Sequence, residues 1–549
     1  MKLHLGPVLR HAGDDEATVW VQPEGPCEVE VRPQGAEPVR ERTFCVEGHH
    51  YALVHVTGLA PNAAIPYSVA LDGDVVWPEP GSAFPPSMLR TQGRHDRVRI
   101  AFGSCRVAVP HEPPYSLRKD EDPRGREMDA LRGLALQMRR EPPEKWPHAL
   151  LMLGDQVYAD EVHPRVGEQR LGDRDVETFA DYVALYTAAW GEPVIRWLLS
   201  TVPSAMIFDD HDVHDDWNTS IEWVAEMRRK AWWRRRIVAA FESYVIYQHL
   251  GNLSPAERAG FALYDELRFG PDPTAALRAY AKRADEESAG TRWSFCRDVG
   301  PARVVMIDSR AGRVLEPGSR AMVDEDEWRW IEEHARGDVD HLLIGTSLPL
   351  IMGPALHYLE AWNERTADGA WGPVVKKAAE KLRTALDLEH WPAFQDSFQR
   401  LCALLREVGA GHRGRPPSTI CVLSGDVHHA YLAEIGFPAG SGVESAVWQA
   451  VCSPFRNPLD TNEKRVILAA WTRAGGAVAR ALARAAGVPD PQVGWRLVHD
   501  EPWFNNQVAW LDLEGRRASF ALEKALPGPD AHMERVFTRA IGPPDFSRA

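Results

Sequence analysis

Residues 148–160 read HALLMLGDQVYAD: an unbroken apolar run that stops at Gly154-Asp155 and opens a polar loop. The same grammar occurs three more times. RVRIAF runs into GSCR (103–106), SAMIF (204–208) into DDHDVHDD (209–216), and TICVLS (419–424) into GDVHHAY (425–431). Two further apolar runs, ARVVMI (302–307) and HLLIG (341–345), lack alternation in the same way. Short continuous apolar runs are what strands covered on both faces look like. Helical stretches lie between them, among them 226–250 and 374–386, so the pattern is that of a layered α/β core. In such sheets ligands collect beyond the carboxyl ends of the strands. Four strand ends carrying Asp, His, Cys and Tyr therefore point to one site.

Upstream, residues 1–93 alternate over short runs (ATVWVQ, CEVEVRP, HYALVHVTGL) separated by Gly, Pro and Asn turns, which predicts an all-β sandwich of the immunoglobulin or fibronectin kind. A Pro- and Ser-rich stretch, 80–93, reads as the linker. The larger domain is expected over 97–525, with helical insertions near 217–290 and 355–410, and 526–549 reads as a tail. The Ala/Arg-rich stretch 465–487 reads as one amphipathic helix, and 357–371 as a possible lid.

Composition narrows the class. With 44% hydrophobic and 26% charged residues the chain suits a globular fold, not disorder. A net charge of −15 argues against a nucleic-acid binder. The basic, aromatic RRKAWWRRR (228–236) is better read as a helix with buried tryptophans. No run approaches the ~18 apolar residues of a membrane helix. The N-terminus shows no secretory signal, so a cytoplasmic location is expected. Seven cysteines without a C-x-x-C pair suggest reduced thiols, with Cys27 and Cys45 the one pair left open.

DDHDVHDD packs five Asp and two His into eight residues behind an apolar strand. Carboxylates crowded in a low dielectric repel unless a cation neutralises them, so a bound metal is the simple reason to tolerate them. Gly154 permits the tight turn that aims Asp155 inward, and Tyr158 follows three residues on. Asp426 and His428, two apart, can face one way while His429 faces the other. Cys105, inert if merely buried, becomes a ligand candidate in this company.

These four motifs, in this order, resemble the calcineurin-like metallophosphoesterase superfamily. The forms GSC, GDQVY, DDHD and GDVHH look specifically like its PhoD-like alkaline phosphatase (alkaline phosphatase D) family. The resemblance implies a four-layer α/β/β/α metallophosphatase domain behind the β-sandwich. It implies that Cys105, Asp155, Tyr158 and His428 hold one metal, Fe3+ in that family. Asp155 would bridge to a second, Ca2+, completed by Asp426 and by Asp210 or Asp216, two places left open here. Two departures stand out: Asp426 replaces the first His of the superfamily's G-H-x-H, and Ser347 in GTSLP (345–349) stands where others have His. Both remove nitrogen ligands and favour an oxygen-liking ion, with Zn2+, Mn2+ and Mg2+ as alternatives. The expected reaction is hydrolysis of a small phosphate ester, mono- or diester, by metal-activated water. His211 is the expected proton donor or phosphate contact. Arg310 is either a phosphate-steadying fork or a surface salt bridge, and Arg106 is a further cation for recognition. A catalytically inactive phosphate- or nucleotide-binding protein on the same fold is the competing reading. Oligomeric state is not legible in the sequence.

Overall fold

The computed structural model describes residues 1–93, 97–172, 174–287, 290–527 and 532–542. Neighbouring residues in its central strands go to different cores. Val304, Met306, Leu343, Cys421 and Leu423 join one, while Val305, Ile307, Leu342, Ile344, Ile420 and Val422 join another. That two-sided burial is the physical origin of the apolar runs.

The strands form two sheets. In the first, Ser204–Ile207, Ala149–Leu153, Arg97–Gly103, Gln507–Glu514, Arg517–Leu526 and His532–Ala540 lie in that order. Its first three strands are parallel and the rest antiparallel. In the second the order is Phe295–Val299, Ala302–Ile307, His341–Thr346, Thr419–Ser424, Ala446–Val451, Tyr431–Gly436 and Gly494–Leu497. The sheets face each other: a Cβ on Gly345 of the second would lie 3.7 Å from Leu153 of the first. Helices Glu325–His334 and Gln395–Gly409 cover the outer face of the second sheet through Trp328, Ile331, Phe398 and Leu401. Ala130–Met138 packs on the first. The α/β/β/α layering follows, as the sequence predicts.

The N-terminal region is all β. Leu3–Ala12, Ala17–Pro23, His49–Val56 and Phe44–Val46 make one sheet. Val39–Arg42, Glu28–Pro33, Ala64–Leu71 and Asp74–Trp77, with Met88–Arg90 beside Ala64–Leu71, make the other. Val19, Val29, Val31, Val54 and Val69 fill the space between. The boundary at 94–96 lies outside the described residues.

Two expectations need correction. The stretch 465–487 is two helices, Thr461–Ala470 and Arg473–Ala485, bent by 66°. Trp471 packs on Tyr431, and Thr472 caps the second helix by accepting from Gly475 N. The stretch read as a tail supplies the strand His532–Ala540, paired along Arg517–Leu526; 543–549 lie outside the described residues. The stretch read as a possible lid lies mostly in helix Pro354–Ala367, whose His357 and Glu360 are buried, His357 against Phe398 and Trp495, while Trp371 beyond it is exposed. All seven cysteines are free, Cys27 and Cys45 included, and no single helix among the described residues is long and apolar enough to cross a membrane.

Candidate metal centre

The four loops meet beyond the strand ends and are stitched together by short-range contacts. Asp426 N donates to Ser104 Oγ (3.0 Å), and Cys105 Sγ lies 3.5 Å from the Asp426 carbonyl. Gln156 N and Val157 N both donate to Asp212 Oδ1 at 3.1 Å. Cys105, Asp155, Asp216, Asp426 and His428 all hold φ between 51° and 65°. Non-glycine residues in that left-handed region cost of order 1–3 kcal/mol each and gather where function holds them.

Charge is the dominant fact of the site. Asp155, Asp209 and Asp210 are buried, and each brings a carboxylate oxygen within 4.8 Å of the others. Asp155 Oδ1, Asp209 Oδ2 and Asp216 Oδ1 have no hydrogen-bond partner, and Asp210 Oδ1 has only an ion pair with Arg310. Burial, reinforced by the neighbouring aspartates, holds Asp155 and Asp209 well above the carboxylate range. Asp210 is raised to about 6, and Asp216 to about 9 by burial with Glu389 and Asp387 beside it. Burial, with Asp155 and Asp426 nearby, likewise raises the Cys105 thiol. The Tyr158 phenol is raised by burial and by Asp155. Buried acids with unpaired oxygens destabilise a fold unless something cationic meets them.

One such cation is Arg310, fully buried. Its Nε donates to Asp209 Oδ1, and Nη1 lies 2.6 Å from Glu389 Oε1. Nη2 sits 3.1 Å from Asp210 Oδ1 and 3.5 Å from Asp426 Oδ1. The guanidinium is thus committed to carboxylates, neither free for a phosphate nor on the surface. Arg106 is similarly spent: it is buried, donates from Nε to Asp129 Oδ2 (2.8 Å) and reaches the Ala189 carbonyl. In RRKAWWRRR, Trp233 and Arg236 are buried, and Arg236 stacks 4.3 Å over Trp232.

The other predicted residues fall into place unevenly. Tyr158 OH donates to Asp155 Oδ2 (3.2 Å), and its ring stacks on His211 at 4.6 Å. His211 Nδ1 faces Asp160 at 2.9 Å while Nε2 looks outward, 3.8 Å from Asp215. Burial pulls the His211 pKa down, but Asp160 and Asp210 outweigh it and the ring is raised well above the ordinary histidine value. Asp216 joins through its backbone, donating to Asp210 Oδ2 (3.1 Å), while its carboxylate faces Asp387 and Glu389. The half-buried His428 feels Asp426, His211 and Lys119. His429 turns the other way, against Tyr431 and Trp471.

Residues the sequence did not single out complete the site. Asp209, Asp212 and Asp160 sit inside the quoted runs. Asp387, Glu389 and His390 come from the insertion, where DLEHW (387–391) has the same acid-and-histidine texture but no strand in front.

Residues 135–495 match a family profile described as PhoD-like phosphatase. The chain belongs to that family. Residues 1–89 match a domain of unknown function, DUF7800. Among solved structures the chain is similar to a structure of PhoD, with TM-score 0.61 and 12% identity over 98% of this chain and 90% of that one. It is also similar to purple acid phosphatase PPD1 from yellow lupin (Lupinus luteus) seeds, with TM-score 0.48 and 11% identity over 98% and 74%. No match is found among curated proteins. The first likeness carries the fold, and membership of the PhoD-like family supports phosphoester hydrolysis. The PhoD-like match contains Asp155, Tyr158, Asp210, Asp216, Asp426 and His428; Cys105 lies ahead of it.

Proposed function

We propose that this PhoD-like phosphatase hydrolyses small phosphate esters, monoesters or diesters, with a metal-activated water at a two-metal site. The observation that carries the reading is the buried trio Asp155, Asp209 and Asp210, with Asp155 Oδ1 and Asp209 Oδ2 left without a partner and Asp216 Oδ1 likewise unpaired nearby. The donor set fits cations: Cys105, Asp155, Tyr158 and His428 would hold a ferric ion, whose charge would draw the protons from the thiol and phenol. Asp155, Asp426 and Asp210 or Asp216 would hold an oxygen-liking divalent ion, with calcium first. Bound there, such ions polarise a phosphoryl oxygen and lower the pKa of a coordinated water.

The protein's own residues do the rest. Asp160 holds Nδ1 of His211 and stacking on Tyr158 fixes the ring. The outward Nε2 is therefore placed to give a proton to the departing alkoxide oxygen. Arg310 balances Asp209, Asp210 and Asp426, which limits the charge the cations must offset. The test is hydrolysis of p-nitrophenyl phosphate and its bis-ester at alkaline pH with calcium, beside EDTA-treated protein and Asp155→Asn. Turnover that disappears in both controls supports the reading, and the ratio of rates separates monoesterase from diesterase. Folded, metal-replete protein that turns over neither ester favours the inactive phosphate-binding alternative.

A further inference from the structure

Asp426 is held directly by His390 of the helical insertion, and the preceding residue, Glu389, reaches it through Arg310. His390 Nε2 lies 2.9 Å from Asp426 Oδ2, and His390 Nδ1 lies 2.7 Å from Glu360 Oε1. Both ring nitrogens face carboxylate oxygens, so both donate. The other oxygen, Asp426 Oδ1, faces Arg310, which Glu389 holds at 2.6 Å. Glu389 is itself pinned by Thr219 Oγ1 and by Arg313, whose Nη2 donates to the Glu389 carbonyl (2.9 Å). The next residue, Trp391, is fully buried and donates from Nε1 to Thr346 Oγ1 (3.2 Å). Glu360 is fully buried in helix Pro354–Ala367, so it cannot follow a moving ring. Asp426 itself is 18% exposed and sits on a turn rather than in a strand. Without His390 only the longer Arg310 contact, at 3.5 Å, holds its carboxylate against rotation toward water.

We propose that Glu360 and His390 are positioning residues: the insertion uses them to fix the Asp426 carboxylate so that its remaining lone pairs face the divalent ion. This inference rests on Asp426 being a ligand of that ion. A helix of the insertion thereby becomes part of the metal site without touching metal or substrate, since partners beyond the ligands orient them.

The experiment uses EDTA-treated full-length protein titrated with Ca2+ by calorimetry, a readout independent of turnover. His390→Ala is expected to weaken Ca2+ binding about 10–100-fold, the usual cost of losing an outer partner. Glu360→Gln is expected to weaken it less. His390→Gln, whose amide can still donate to Asp426, is expected to recover most of the loss. In an Asp426→Asn background, His390→Ala is expected to add no further loss, because its effect passes through that carboxylate. Where circular dichroism shows His390→Ala unfolded, His390→Gln and Glu360→Gln carry the comparison. Parent-like Ca2+ affinity in folded His390→Ala, or in Glu360→Gln where His390→Ala does not fold, overturns the inference alone. So does an undiminished loss in the Asp426→Asn background. A parent that binds no Ca2+, or Asp426→Asn that binds it normally, overturns the Asp426 ligand assignment and this inference together.

Discussion

Gly154 holds φ at 121°, and a Cβ built on it would lie 2.8 Å from Asp209 Cβ and 3.0 Å from Asp209 Oδ2. Neither the backbone nor the space admits a side chain, so Gly154→Ala must push Asp209 off Arg310 or turn Asp155 away. A loss of about 2 kcal/mol in urea unfolding is expected, together with a fall in kcat of about 10²-fold. Wild-type stability and rate in that variant would refute the geometry. Asp129 makes a second case one residue at a time. Burial pushes its carboxyl up, but Arg106 and Arg456 outweigh burial and the group sits at about 2. A folded value below the unfolded 3.8 means the stabilisation is complete above pH 4. It is then lost as pH falls from about 4 to about 2, amounting to about 2 kcal/mol. Asp129→Asn is therefore expected to flatten the acid limb of the stability curve across that window, while leaving Arg106, next to Cys105, with the Ala189 carbonyl and the more distant Glu192 in place of its close ion pair. An unchanged acid limb would show that Asp129 is not the group responsible.

At the scale of elements, legibility followed from exposure and from sequence distance. Ala149–Leu153 and Thr419–Ser424 were readable because both faces are buried, and that leaves a run no surface strand shows. Asp155 and Asp426 were readable because each directly follows such a run. His390 was not: it reaches Asp426 across 36 positions from a loop between helices, where periodicity marks nothing. The break at Trp471-Thr472 was hidden because the apolar spacing continues through it. The last strand, His532–Ala540, was hidden because it is an edge, largely exposed and studded with Glu534, Arg535 and Arg539. Those charges blunt an edge that would otherwise pair with another chain. Removal of 527–549 uncovers the backbone of Arg517–Leu526 and takes Phe537 off Trp503, 5.0 Å away. The truncated protein is expected to aggregate, as light scattering would show, while freshly prepared monomer keeps its turnover. The reason is that the strand Gln507–Glu514 still separates the new edge from Arg97–Gly103. A truncation that stays monodisperse would show that the edge needs no cover.

At the scale of the whole molecule, the N-terminal sandwich is fused to the strand that delivers the acidic cluster. Arg10 is fully buried; Nη2 donates to the Gln248 carbonyl (2.7 Å) and Asn252 Oδ1 (3.0 Å), and Nη1 to Ser204 Oγ (3.2 Å). Ser204 opens the strand Ser204–Ile207, which leads through Phe208 into Asp209. Trp20 Nε1 donates to the Ile246 carbonyl (3.0 Å), and the Tyr51 and Tyr247 hydroxyls lie 3.2 Å apart. Arg297 ties the seam from the other side, donating from Nη1 to the carbonyls of Arg10 and Ser204. A seam built on a fully buried arginine and buried aromatic rings resembles an interior rather than a domain boundary, and separable domains usually meet through smaller, more polar surfaces. The chain is therefore expected to melt in one calorimetric transition. Arg10→Ala would take the guanidinium donors from the Gln248 carbonyl and from Asn252 Oδ1, which keeps only Met206 N, at a cost of about 2–4 kcal/mol. That loss should move the single transition as a whole and carry activity down with it at the same temperature. Two resolved transitions, with Arg10→Ala shifting only one and activity following the other, would instead make the sandwich an appendage.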